Sequence, residues 1–259
     1  MDLRIGGRSA LVCAASKGLG YACASALGRE GVNLTIVART PGSLEAAAAK
    51  LRGAHGVEVR SVAADVSNED GVRKILQACP DPDILINNAG GPPAGDFRKF
   101  SRQDWIKAID LNMLSAIQLI AGTIDKMVER KFGRIINITS AAMRVPLSIL
   151  PLSNGARGGL TAVVSGIAAN FARDNVTINN ILPGPFDTDR LVETIRAAAK
   201  HAGRPEDEIR KERLAANPAR RAGDPDELGA TCAFLSSAWA GYITGQNILI
   251  DGGANPTTF

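Results

Sequence analysis

Residues 151–160, PLSNGARGGL, place a serine and an arginine four positions apart at the start of an apolar stretch. The hydroxyl of Ser153 can donate a hydrogen bond, and the guanidinium of Arg157 carries a lasting positive charge. Together they can stabilise negative charge that develops on a substrate oxygen. The same residue types also favour a helix N-terminus, with Ser153 or Asn154 as the N-cap. The segment therefore predicts an electrostatic site, a helix start, or both.

Residues 13–20, CAASKGLG, form a second candidate site, because they lie between an apolar run and an amphipathic one. Backbone N–H groups at the start of such a helix can bind a phosphate, and the helix dipole favours its negative charge. The position after the first predicted strand favours a dinucleotide as the ligand. Gly18 and Gly20 also have a structural alternative, since a strand-to-helix turn often needs glycine for its backbone alone.

The elements that would position these residues follow from the hydrophobic pattern. Runs such as NLTIVAR and DILINNAG predict buried strands, and segments such as PGSLEAAAAKLRGAHG predict helices. Their alternation predicts an α/β fold: a Rossmann-type doubly wound parallel sheet of about seven strands, with helices on both faces. Residues 1–259 are expected to form a single domain. The helical, charged segment 186–221 is a candidate lid over one edge of the sheet.

Ligands of such sheets bind at the carboxyl ends of the strands, and three polar motifs are predicted there. NNAG (87–90), ITS (138–140) and PGPFDT (183–188) each follow a predicted strand. With ADV at 64–66 and Asn112 in a long predicted helix, their order and spacing resemble the short-chain dehydrogenase/reductase family over essentially the whole chain. Within that family the chain is most similar to bacterial 3-oxoacyl-acyl-carrier-protein reductases.

The resemblance implies a single NAD(P)-binding Rossmann domain and assigns its cofactor contacts. The glycine turn would hold the pyrophosphate, although alanine stands where the family has its first glycine. Residues after the third and fourth strands would line the adenosine, and those after the sixth would flank the nicotinamide. The implied cofactor-binding residues are Ala14, Ser16, Lys17, Gly18, Leu19, Gly20, Arg39, Asp65, Val66, Asn88, Ala89, Gly90, Pro183, Gly184 and Thr188.

The catalytic residues that the resemblance implies are incomplete. Ser140 matches the family's catalytic serine and Asn112 its proton-relay asparagine, but the YxxxK motif falls on Ser153 and Arg157. One interpretation is an active oxidoreductase in which Ser140, Ser153 and Arg157 stabilise the oxyanion, with His201 as a further candidate proton donor. The other is a nucleotide-binding, catalytically impaired member that acts as a sensor or partner subunit.

Cofactor choice follows from charge. Members that use NAD usually carry an acid at the end of the second strand, where this chain has Ala38 followed by Arg39. Arg39 and Lys17 would attract a 2′-phosphate, whereas an acid would repel it. NADP(H) is therefore favoured over NAD(H). The alternative is that both cations are simply solvated.

Composition narrows the remaining function classes. The net charge is +4 and the pI about 9.0, but the cations are interleaved with acids, which argues against nucleic-acid binding. Four cysteines without a CxxC pair and only two histidines predict buried thiols and no metal site. With no run of membrane-spanning length or signal peptide, a cytoplasmic protein without a membrane partner is expected. The resemblance implies a homotetramer and a small carbonyl, alcohol or acyl-thioester substrate.

Overall fold

A computed structural model describes residues 1–256 apart from the side chain of His201, so the proton-donor hypothesis for His201 lies outside the described residues. Within this part, seven parallel strands form one sheet in the order β3-β2-β1-β4-β5-β6-β7, which confirms the predicted doubly wound fold. The strands are β1 (Ser9–Cys13), β2 (Asn33–Ala38), β3 (Val59–Ala63), β4 (Ile84–Asn87), β5 (Gly133–Ile138), β6 (Val176–Pro183) and β7 (Asn247–Ile250). The helices are α1 (Gly18–Arg29), α2 (Pro41–His55), α3 (Glu69–Ala78), α4 (Arg102–Ile109), α5 (Ser115–Glu129), α6 (Pro151–Ile167), α7 (Asp189–Ala202), α8 (Glu206–Ala215) and α9 (Pro225–Ser236).

Helices cover both faces of the sheet because its central strands are apolar on both sides. Every residue of β4 and β5 is buried, as expected for strands of a parallel sheet with two covered faces. On one face Leu27, Leu51 and Leu228 bring α1, α2 and α9 into a common core. On the other, Ile75 and Leu160 do the same for α3 and α6. Each such leucine or isoleucine contributes about 1.5–3 kcal/mol through burial.

The strand order reverses at β1, which lies between β2 and β4. Chain connections leave the two strands β1 and β4 in opposite directions, so a crevice opens outside their carboxyl ends. The register keeps these ends level: Cys13 pairs with Val37, and Asn87 pairs with Asn137. The segments that follow the strands therefore converge on one edge of the sheet.

The long helical stretch predicted before β5 divides into α4 and α5. A π-helical segment, Asp110–Leu114, joins the two helices and packs against α6. Such π segments are rare and frequently occur at functional sites. Here the segment carries Asn112 into the interior of the protein. Within the described residues, no helix combines the length and apolarity needed to cross a membrane.

Candidate active site

The glycine turn between β1 and α1 has the tight backbone expected of a phosphate-binding turn. A Cβ atom on Gly20 would lie 2.3 Å from the carbonyl oxygen of Ala14, so only glycine fits there. Gly18 has a φ of +59°, in the region that glycine adopts without strain. The N-cap residue of α1, Lys17, makes no capping hydrogen bond through its side chain. The first N–H groups of α1 are thus left for an anion, and the turn fits a dinucleotide pyrophosphate.

Ala14 has a backbone conformation that favours glycine. Its φ is +48°, in the left-handed region that an L-residue with a Cβ atom rarely adopts. The close approach of Gly20 on one side and a 3.0 Å hydrogen bond from Ala15 N to Val37 O on the other hold the turn in this shape. Ala14 therefore combines backbone strain with a methyl group at the position where the resemblance implies glycine.

The other residues assigned to the cofactor lie along the same edge. Asn88, which follows β4, places its amide nitrogen 2.8 Å from where a Gly20 Cβ would lie. Thr188 approaches the turn from the far side, with its methyl carbon 3.8 Å from a Cβ built on Gly18. Asp65 lies after β3, and its carboxylate accepts hydrogen bonds from the Ser67 backbone and hydroxyl. Further half-buried members of the set are Ser16, Leu19, Val66, Ala89, Pro183 and Gly184, whereas Lys17, Arg39 and Gly90 are exposed.

Ser140 is the second residue after β5, half-buried at the same edge of the sheet. Its hydroxyl oxygen accepts a 3.1 Å hydrogen bond from the backbone N–H of Ala142 and caps a short 3₁₀ turn. That bond uses only one lone pair, so the hydroxyl proton remains available to a substrate oxygen.

Ser153 lies inside α6, so the prediction that Ser153 or Asn154 caps this helix is wrong. The helix begins two residues earlier at Pro151, whose fixed φ suits the first helical position, and Leu150 is the N-cap. Asn154 instead donates from its amide to the Leu147 carbonyl oxygen at 2.8 Å. Ser153 is buried in the first turn, with 7% of its surface exposed.

Arg157 lies one turn further along α6 and is also buried, with 8% of its surface exposed. Its guanidinium donates to three backbone carbonyl oxygens: Ile138 at 2.7 Å, Thr139 at 3.0 Å and Ala89 at 3.1 Å. Burial, and to a smaller extent the charge of Arg190, lowers the pKa of Arg157 to about 10. The side chain therefore stays charged at neutral pH and joins the carboxyl ends of β4 and β5.

Asn112 lies beneath this cluster beside a cavity of about 20 Å³ that Cys13, Asn87 and Arg157 also line. Within the described residues, neither amide atom of Asn112 has a hydrogen-bond partner, and the same holds for Oδ1 of Asn87. Burial raises the pKa of the Cys13 thiol to about 12, so this group remains neutral. The cavity thus combines unpartnered polar atoms with room for about one water molecule.

A row of asparagines, three buried and one half-buried, crosses four strands near the site, and sequence reasoning missed it. Asn87 donates to Asn137 at 2.9 Å, Asn137 to Asn180 at 3.0 Å, and Asn180 to Asn247 at 2.8 Å. This asparagine ladder links β4, β5, β6 and β7 through side chains as well as backbone. The available signal was the presence of asparagine in each of these four apolar strands, with two in β6, but the strand register was needed to align them.

A doubly wound sheet with a glycine turn after its first strand defines a dinucleotide-binding type of α/β protein. Similarity to known proteins narrows the class. The chain matches the family model described as enoyl-(acyl carrier protein) reductase over residues 13–255. It is 34% identical over 254 residues to acetoacetyl-CoA reductase from Allochromatium vinosum, with 95% of this chain and 98% of that protein covered. It is 29% identical to 3-oxoacyl-[acyl-carrier-protein] reductase from Vibrio cholerae, with 97% and 98% covered.

The chain is also similar to a reductase of known structure. L-sorbose reductase from Gluconobacter frateurii, complexed with NADPH and L-sorbose, matches with a TM-score of 0.93 at 29% identity, covering 99% of this chain and 100% of that chain. The chain belongs to the short-chain dehydrogenase/reductase family of oxidoreductases.

Proposed function

We propose that this protein is an NADP(H)-dependent oxidoreductase that reduces a carbonyl group, similar to the 3-oxoacyl-acyl-carrier-protein reductases but with an altered active site. The observation that carries the proposal is the hydrogen bond from Arg157, one turn after Ser153 on α6, to the carbonyl oxygen of Thr139, the residue before Ser140, at the sheet edge that also carries the glycine turn. NADPH, when bound, supplies a hydride to the carbonyl carbon, and the protein must then stabilise the oxyanion.

Ser140 and Ser153 are the hydrogen-bond donors that we assign to this oxyanion. A serine hydroxyl is a much weaker acid than the tyrosine of the family, so electrostatic stabilisation of the oxyanion carries the reaction, and the alkoxide then takes its proton from water. Arg157 adds positive charge nearby but cannot pass on a proton, because it remains protonated at working pH. Its three carbonyl partners support a positioning role at the ends of β4 and β5. Asn112 would serve as a polar group on the path of the proton.

The preference for NADP(H) is supported by charge at the end of β2. Ala38 is followed by the exposed Arg39, and the hydrogen bond from Ala15 N to Val37 O brings the turn that carries Lys17 alongside this strand end. L-sorbose reductase and the actinorhodin polyketide ketoreductase, both similar in fold, have been solved with NADPH.

An apolar rim beside Ser140 supports a substrate with an apolar chain. The segment between Ser140 and α6 exposes Val145, Leu147 and Ile149 to solvent. The N–H of Gly95 donates to the Ile149 carbonyl oxygen at 2.8 Å, which connects this segment with the loop that carries the exposed Phe97. Exposed apolar side chains grouped in this way are typical of binding surfaces. An acyl thioester fits this rim better than a small polar ketone, and α7 with α8 would cover it as a lid.

Two further parts of the proposal concern the oligomeric state and the cellular location of the protein. A homotetramer is supported by the edge strand β7, which is only half-buried, and by the exposed Phe234, Trp239 and Tyr242 close to it in the chain. Light scattering on the purified protein would measure its mass. A cytoplasmic location is proposed from the buried cysteines, which suit a reducing compartment.

The competing function is a nucleotide-binding sensor or partner subunit without turnover. It is favoured by the loss of the tyrosine at Ser153 and by the occupation of the Arg157 guanidinium with backbone carbonyls. An assay of NADPH oxidation with 3-oxoacyl thioester, quinone and small ketone substrates separates the two. Turnover that falls in Ser140→Ala supports the oxidoreductase. NADPH binding without turnover on any substrate supports the sensor.

A further inference from the structure

The first residues of α7 touch both sides of the crevice at the switch point. Asp189 accepts a 2.6 Å hydrogen bond from Lys17 in the glycine turn. Its neighbour Arg190 donates to the carbonyl oxygen of Pro92, beyond β4, at 3.0 Å. Thr188, just before them, approaches Gly18. Three consecutive residues therefore join the α7–α8 segment to both edges of the proposed cofactor site.

The Lys17–Asp189 contact is an ion pair on the surface of the protein. The two side chains are 71% and 67% exposed, and the hydrogen bond from Lys17 to Asp189 raises the pKa of the lysine. Glu193, one turn further along α7, adds a weaker attraction. Within residues 1–256, Arg39 forms no ion pair, so only one of the two cations assigned to the 2′-phosphate is held by a carboxylate.

We propose that Asp189 is a specificity-determining residue, because it competes with the 2′-phosphate of NADP(H) for Lys17. The inference rests on the proposed function, in which Lys17 and Arg39 contact that phosphate. NADPH must displace the Asp189 carboxylate from Lys17 before it gains the full charge of the lysine. NADH has no 2′-phosphate and leaves the pair in place. Asp189 therefore weakens the binding of NADPH but not of NADH. It reduces the preference for NADPH over NADH that Lys17 and Arg39 create.

The size of the effect follows from the exposure of the pair. Ion pairs between exposed side chains are typically weak, and a contribution of this kind changes a dissociation constant by up to about five-fold. Salt screens exposed charges, so the effect is expected to be largest at low ionic strength and to shrink as salt is added. This dependence on salt separates competition for charge from a general loosening of α7.

The test measures dissociation constants for NADPH and NADH by nucleotide fluorescence in the wild type, Asp189→Asn and the control Asp187→Asn. Asp187 is the matched control because it is an exposed carboxylate two residues away that pairs with Arg210 instead. Asp189→Asn is expected to bind NADPH about two- to five-fold more tightly at low salt, with NADH binding unchanged, and the control is expected to match the wild type. Thermal melting of each variant confirms that it is folded.

A second set of variants lacks Lys17, the residue for which Asp189 and the 2′-phosphate would compete. In Lys17→Ala, the further change Asp189→Asn is expected to leave the NADPH dissociation constant within two-fold, because the charge for which both groups compete is absent. Equal changes for NADPH and NADH, an unchanged NADPH constant in Asp189→Asn, or an equal gain in the Lys17→Ala background would each overturn the proposal while the proposed function stands. If the folded wild type binds neither nucleotide, the proposed function itself is contradicted.

Discussion

The left-handed conformation of Ala14 gives a stability prediction that depends on a single Cβ atom. An L-residue at a φ of +48° is strained by roughly 1–2 kcal/mol relative to glycine. Glycine in its place would relieve that strain, but it would also give the unfolded chain more freedom, which offsets about 0.4–1 kcal/mol. Ala14→Gly is therefore expected to stabilise the protein by about 0.5–1 kcal/mol. For a chain of this length, that corresponds to a rise in Tm of about 1–4 °C.

Ala15→Gly is the matched control, because Ala15 is the next residue in the same turn. Its side chain is fully buried, and its φ lies outside the left-handed region. The change removes a buried methyl group and adds freedom to the unfolded chain, so it is expected to destabilise the protein by about 1–2 kcal/mol. The two variants should shift the urea midpoint in opposite directions. Destabilisation of similar size in both would refute the argument from strain at Ala14.

Three further predictions concern the proposed catalytic residues and the asparagine ladder. The double change Ser153→Tyr and Arg157→Lys is expected to raise kcat/KM for a 3-oxoacyl thioester by about 10²-fold or more, because the tyrosine supplies a general acid. A kcat/KM that stays at the wild-type value in steady-state kinetics would contradict this prediction. The pH profile of the wild-type kcat/KM is expected to be flat from about pH 6 to 9. Serine does not titrate in this range, and the pKa values of Arg157 and Cys13 are about 10 and about 12. An inflection near neutral pH would point to another proton donor. In the ladder, Asn180→Leu is expected to destabilise the protein by about 1–3 kcal/mol in urea unfolding, because the buried amide of Asn137 loses its acceptor; a change below 0.5 kcal/mol would mean that a water molecule replaces the lost partner.

The fold could be predicted from the sequence because each strand is recognisable from its own run of apolar residues. Apolar runs separated by amphipathic helices give the parallel sheet, and parallel strands have their carboxyl ends at one edge. The candidate site follows from that geometry, since Asn88, Ser140 and Thr188 all come shortly after strands. Local pattern and chain topology were sufficient for these features.

The features that could not be predicted depend on contacts between distant parts of the chain or on the exact backbone. Lys17 and Asp189 are 172 residues apart, and nothing in either segment indicates the other. Arg157 donates to backbone carbonyl oxygens, which every residue has, so the types of its partner residues do not indicate the contact. The N-cap assignment for Ser153 was wrong because Pro151 starts the helix one half-turn earlier than the serine suggested.

The central claim is that the altered site still transfers a hydride to a carbonyl, and isotope transfer tests it most directly. The purified protein would be incubated with NADPH deuterated at C4 of the nicotinamide and a 3-oxoacyl thioester, and the product would be analysed by mass spectrometry. We predict a deuterated hydroxyacyl product well above the protein-free background and a clear reduction in Ser140→Ala. NADPH binding without any deuterium in the product would contradict the claim and favour the nucleotide-binding sensor.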